Sequence, residues 1–169
     1  MTTIGRTGRP YRAPVALAGA ALAVLALGGC ATAKEELVEA ADEKCRTISE
    51  RFGGDLGFGE SIGGEDDLKK FGERRKLIKD LRDTVRSMPK PETGQAELNA
   101  WLGKLDEFDK AMLKTSNMSR YAQPGMDLLI AMQVGVLDET TQAVGPAAKR
   151  FGLRDCAQIE SWRTFPKKK

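Results

Sequence analysis

KEELVEAADEKCRTISERF, from Lys34 to Phe52, is the stretch on which the fold turns. Val38, Ala41, Cys45, Ile48 and Phe52 recur at alternating intervals of three and four residues, which places them on one side of a 3.6-residue helix. Glu35, Glu36 and Glu39 stand at the end where a helix is electropositive, and Gly53 with Gly54 closes it. A helix with one apolar side is not stable alone, so the rest of the chain has to supply the surfaces that cover it.

Downstream the same periodicity returns. Glu65, Asp66 and Asp67 open a second helix to about Met88, with Leu68, Phe71, Leu77, Ile78, Leu81, Val85 and Met88 inward and Asp66 paired to Lys70. Pro89 and Pro91 interrupt it, giving a turn over 89–94. A third helix is expected from Gln95 to Lys114, burying Leu98, Trp101, Leu102, Leu105, Phe108 and Met112, with Asp106 and Lys110 paired outside. Thr115 to Gln123 reads as a polar connection. A fourth helix begins near Pro124 or Gly125, with Met126, Leu129, Ile130, Gln133, Leu137 and Thr141 on one face and Val134, Val144, Ala148 and Phe151 on an adjacent one. Pro146 should break or kink it, and Gly152 should stop it. Leu153, Cys156, Ile159, Trp162 and Phe165 then return to the bundle. No strand pattern or repeat appears, so the expected fold class is all-α, an antiparallel bundle of about four helices. Residues 53–64, with six glycines, form a flexible loop that lacks the Gly-Lys-Ser/Thr ending of a phosphate cradle.

Upstream of Lys34 the character changes. Arg6, Arg9 and Arg12 precede an apolar stretch from Ala13 to Gly29 that is too short to span a bilayer comfortably, and it ends in Leu27, Gly28, Gly29 and Cys30. This segment resembles bacterial lipoprotein signal peptides. The resemblance implies that residues 1–29 are removed, that Leu27, Gly28 and Gly29 are read by the signal peptidase, and that Cys30 carries covalent diacylglycerol and acyl chains. No Arg-Arg pair suggests a twin-arginine route. Residues 30–169 would then be a mature domain on the extracytoplasmic face of the cell membrane. The leader's three cations account for the excess of 27 Lys plus Arg over 24 Asp plus Glu, so the mature domain is formally neutral. A neutral domain gives no reason to expect a nucleic-acid partner.

With Cys30 acylated, Cys45 and Cys156 remain, and an even pair in an exported chain reads as a disulfide, the alternative being two buried thiols. Such a bridge would close a loop of about 110 residues, for which chain entropy gives on the order of 4–5 kcal/mol. The early cysteine-bearing helix and the ending Phe151-Gly152-Leu153-Arg154-Asp155-Cys156 are similar to a broad group of small actinobacterial lipoproteins. That likeness implies an exported, disulfide-tied helical domain and supplies no catalytic residue.

The composition narrows the chemistry. The chain has no histidine, so Ser-His-Asp and Cys-His nucleophiles and the commonest zinc and haem ligands are excluded. Asp106, Glu107 and Asp109, or Asp138 and Glu139, offer carboxylates for glycoside hydrolysis, yet neighbours along one helix point to solvent rather than across a cleft. The basic run Lys69, Lys70, Arg74, Arg75, Lys76 and Lys79 alternates with acids and reads as a solvated face. Met112, Met118, Met126 and Met132 read as core filling before they read as an adaptable groove. The expectation is a non-enzymatic, lipid-anchored helical module of the cell envelope, without metal or dissociable cofactor, that binds another envelope protein or serves a structural role. The alternative is an extracytoplasmic binder of a small apolar or amphipathic ligand between helices.

Overall fold

Four amphipathic helices separated by glycine and proline breaks can bury their apolar sides only against one another, and the computed structural model, which describes residues 32–59, 62, 65–121 and 123–164, has that architecture. The helices are α1 (Ala33–Gly53), α2 (Glu65–Ser87), α3 (Gln95–Arg120) and α4 (Asp127–Phe151), followed by two 3₁₀ turns, Asp155–Ala157 and Glu160–Trp162. The described residues contain no strand. Leu27, Gly28, Gly29 and Cys30 lie outside the described residues, as do Phe165 and the lysine tail.

Ion pairs between neighbours reveal an up-and-down course. Lys44 on α1 meets Asp80 on α2 at 2.6 Å. Along the α2–α3 seam, Arg75 meets Asp109 at 2.7 Å, while Arg82 and Arg86 meet Asp106 at 2.7 and 3.0 Å, the order running backward as antiparallel helices require. At the bundle's near end the start of α1 and the end of α4 come together, with the Lys34 ammonium 5.1 Å above the Phe151 ring. Gly94, in the left-handed region at φ 81°, packs beside both. A side chain there would be strained and would press on Phe151.

The core is made of the expected positions with local shifts. Leu37, Ala41, Cys45, Ile48 and Phe52 of α1 are buried, and Val38 is only half-buried. Phe71, Ile78, Leu81 and Val85 of α2 join Leu98, Trp101, Leu105, Phe108 and Met112 of α3. At the start of α1, Thr32 accepts the Glu35 amide and Glu35 accepts the Thr32 amide, a reciprocal cap that satisfies two free amides. That bond from the Thr32 backbone, with the Thr32 hydroxyl contact, holds the Glu35 carboxyl below its ordinary value.

Three expectations are corrected. The third helix does not stop at Lys114: it runs to Arg120, because Thr115 bonds its own helix at the Ala111 carbonyl (2.9 Å) and nothing breaks the backbone before Pro124 and Gly125. Nor does Pro146 divide the fourth helix, which is one element of 25 residues. Pro146 and Gln142, whose carbonyl loses its amide partner, are both exposed, so that carbonyl remains open to solvent. The expected surface pairs also change partners, with Asp66 meeting Lys69, Asp67 meeting Lys70, and Asp106 turning to the arginines of α2 rather than to Lys110.

The chain beyond α4 closes the bundle between α1 and α4. Gly152 ends α4 at φ 109°, its amide donating to the Ala148 and Lys149 carbonyls, so the chain reverses where the sequence requires. Leu153, Cys156 and Trp162 are then buried, Trp162 reaching between Phe52 of α1 and Phe108 of α3.

Candidate functional site

The residues read as candidates divide sharply once placed. Cys45 and Cys156 are brought together at disulfide distance, sulfur to sulfur 2.02 Å and Cα to Cα 5.0 Å, across 111 residues of sequence. Asp42, one turn before Cys45, accepts the backbone amides of Arg154, Asp155 and Cys156 at 2.9–3.1 Å, so the turn holding Cys156 is capped from α1. The Trp162 indole donates to the Ser49 hydroxyl at 2.8 Å, and the Thr164 amide donates to Asp138 on α4 at 2.8 Å.

The carboxylates considered for hydrolysis do not face one another across a cleft. Asp106 and Asp109 are spent on Arg75, Arg82 and Arg86. Glu107 pairs with Lys104, and Asp138 takes Thr164 and Arg163. Among the described residues no three histidine, cysteine, aspartate or glutamate side chains converge as a metal site would need, and no helix is long and apolar enough to cross a membrane.

The basic run is not one solvated face. Lys69, Lys70, Lys76 and Lys79 pair with Asp66, Asp67, Glu73 and Asp83 on their own helix, and Arg75 reaches α3. Arg74 is 2% exposed. Its guanidinium donates to three carbonyls, Leu56 at 2.9 Å, Phe52 at 3.0 Å and Trp162 at 3.2 Å, while lying 4.3 and 4.4 Å from the ring centres of Phe52 and Phe58. Burial pushes its pKa down to about 10, countered in part by Asp138, so it stays charged at neutral pH. Arg74 ties the end of α1, the glycine-rich segment and the last turn together. The signal was present in the sequence: Arg74 falls three residues after Phe71 and four before Ile78, on the apolar side of its helix.

Leu113 and Tyr121 are exposed singly, and the other large apolar side chains left uncovered on the described surface are together on α4. Leu128, Leu129, Met132 and Val136 are 71, 51, 63 and 47% exposed, on the outward side of the first two and a half turns. The spacing 128, 132, 136 repeats every four residues, and Gly135 lies within that stripe, so a hydrophobic ridge has a hollow beside it. Glu139, exposed, continues the same side one turn on. From Met126 to Leu137 the only charge is Asp127, which faces away from the stripe. Beneath this half, Gln133 Nε2 of α4 and Ser119 Oγ of α3 are buried and without a partner among the described residues. Leu129 was expected inward and is not. The methionines divide accordingly, Met112 in the core and Met132 on the surface. Large contiguous exposed apolar surfaces on monomers mark binding sites more often than scattered single residues do.

No protein-family model matches this chain, and neither a curated protein nor a solved structure is similar to it. The stripe's own chemistry is therefore the guide to its use. It holds no nucleophile, no converging acids and no cation cluster; it can exclude water against another apolar surface.

Two of the clefts among the described residues border charged side chains. One of about 380 Å³ has Leu37, Val85, Met88, Leu98 and Leu102 in its walls, with Arg86, Lys90 and Asp106 beside them. The other, about 590 Å³, runs between Arg46, Ser49 and the last turns from Asp155 to Ser161.

Proposed function

We propose that this chain is a lipid-anchored lipoprotein of the cell envelope, held at the extracytoplasmic face of the membrane through acyl chains on Cys30, and that it works without catalysis as a helical interaction module. The exposed stripe Leu128, Leu129, Met132 and Val136 carries the interaction part of this reading. The leader with Leu27, Gly28 and Gly29 before Cys30 carries the anchor. Only Ala31 and Thr32 separate Cys30 from α1, a reach of roughly 10 Å when extended, so the near end of the bundle would be held close to the bilayer. The stripe belongs to the opposite end, where α4 begins, so the anchor leaves it free for docking.

Photo-crosslinking in intact cells tests the docking reading. A photoreactive side chain at Leu128 is expected to capture a protein, and one at exposed Gln142 on the same helix is not; equal yields from both would defeat it. Metabolic labelling with a clickable fatty acid tests the anchor, since Cys30→Ala should lose the label. A second reading, binding of a small amphipathic ligand, is favoured by the cleft walled by Leu37, Val85 and Leu98 with Arg86 and Lys90 beside it. Native mass spectrometry of freshly isolated protein separates the two readings, because a co-purifying mass belongs only to the second.

A further inference from the structure

We infer that the partner of the α4 stripe is a second copy of this chain, docked with the two α4 helices antiparallel about a two-fold axis at Met132; the inference rests on the docking reading above and names its partner. The stripe is self-complementary in that register and in no parallel one. With Met132 on the axis, Leu128 faces Val136 of the other copy, and Leu129 faces Gly135. The two leucines therefore meet a shorter side chain and a hollow. An added Cβ at Gly135 would touch nothing within this chain, so the chain's own packing gives no reason for a residue that weakens a helix. Gly72 and Gly103 have the same open space, but neither borders large exposed apolar side chains.

Charge selects the same arrangement. Seven residues from the axis on one side is Glu139; seven on the other is Gly125, at the amide end of α4. The residue that caps that end, Met126, makes no side-chain cap bond. Antiparallel docking thus sets each Glu139 carboxylate against the electropositive, uncapped start of the partner helix, and the helix dipoles oppose. Parallel docking would instead bring like ends together, Glu139 against Glu139, and stack the two glycine hollows on each other. A contact of about three turns lies toward the small end of specific interfaces.

Two differently tagged full-length copies, one Leu129→Cys and one Gly135→Cys, co-expressed and oxidised in cells, should give a mixed crosslinked dimer. Two Leu129→Cys copies should not, since their cysteines are offset by about 9 Å along the helices. Adding Met132→Glu, an exposed position whose folding is checked by circular dichroism, should cut the mixed product at least tenfold. A Leu129–Leu129 product, or a mixed product unaffected by Met132→Glu, overturns the inference. So does the absence of any product between copies; if the photoreactive residue at Leu128 then captures a different protein, docking stands and self-association falls, and if it captures none, both fall.

Discussion

The two halves of α4 are built on opposite terms. From Leu137 to Phe151 the helix is covered on its inward side by core and along its flank by the returning chain, which is fastened by Asp42, Ser49, Arg74, Asp138 and the Cys45–Cys156 link. From Asp127 to Val136 the outward side carries four large apolar residues and no cover among the described residues. The two glycines, ten residues apart, express the contrast in miniature. At Gly145 an added Cβ would lie 2.9 Å from the Ala157 carbonyl and 3.1 Å from Ile159, whereas at Gly135 it would meet nothing. A glycine can therefore mark a tight contact within the chain or a space outside it, and only the neighbours tell which.

The largest effect should come from the fastening of the second half. Cys45→Ser with Cys156→Ser is expected to lower the unfolding free energy by about 4–5 kcal/mol, read as a lower denaturant midpoint that added reductant no longer shifts. An unchanged midpoint would show that the returning chain holds without sulfur. Arg74→Met should follow at about 3 kcal/mol, because three buried carbonyls lose a charged donor together. Arg74→Lys should recover part of that, one ammonium being unable to reproduce the planar fork.

The glycines give the direct test of the contrast. Gly145→Ala should destabilise by about 1–2 kcal/mol, overpacking outweighing the gain in helix propensity, while Gly135→Ala should stabilise an isolated chain by about 0.5–1 kcal/mol. Thermal melts at low protein concentration measure both, and equal signs would erase the distinction. The smallest effect is expected from acid, and away from α4. Glu35, bonded to the Thr32 amide, Asp55, bonded to Arg51, and Asp83, bonded to Lys79, sit below their ordinary values of 4.5, 3.8 and 3.8. Since the folded state holds these groups ionised more readily, their contribution is present above those ordinary values and is lost as pH falls through the lowered folded ones. A slight fall in melting temperature below about pH 4 should therefore accompany side-chain NMR titrations of these carboxylates, with the Met132 methyl resonance unmoved.

The bundle was legible because helical periodicity and chain breakers are local. Phe52, Trp101 and Phe108 sit on stripes that no strand could use, and Gly54 and Gly152 end helices for reasons confined to their own backbone. The meeting of Cys45 with Cys156 was also readable, since the expectation that Cys30 is acylated leaves an even pair. What escaped was set by distant partners. Thr115 looked like the start of a loop because its hydroxyl's partner, the Ala111 carbonyl, is invisible to a pattern of side chains. Arg74 looked like one cation among many until three carbonyls from separate segments converged on it. Leu129 looked buried because apolar residues on both sides of α4 give no way to choose between inside and outside. The stripe was hidden by the same ambiguity that makes it useful.

The link between Cys45 and Cys156 has one more consequence. All three connections between the helices, the glycine-rich segment after α1 among them, lie within the stretch of chain it spans. A protease that cuts any of them leaves two pieces joined through sulfur, with the cleavage visible only on a reducing gel. A nicked molecule would thus stay whole, and if Cys30 holds the first piece, it holds the second as well.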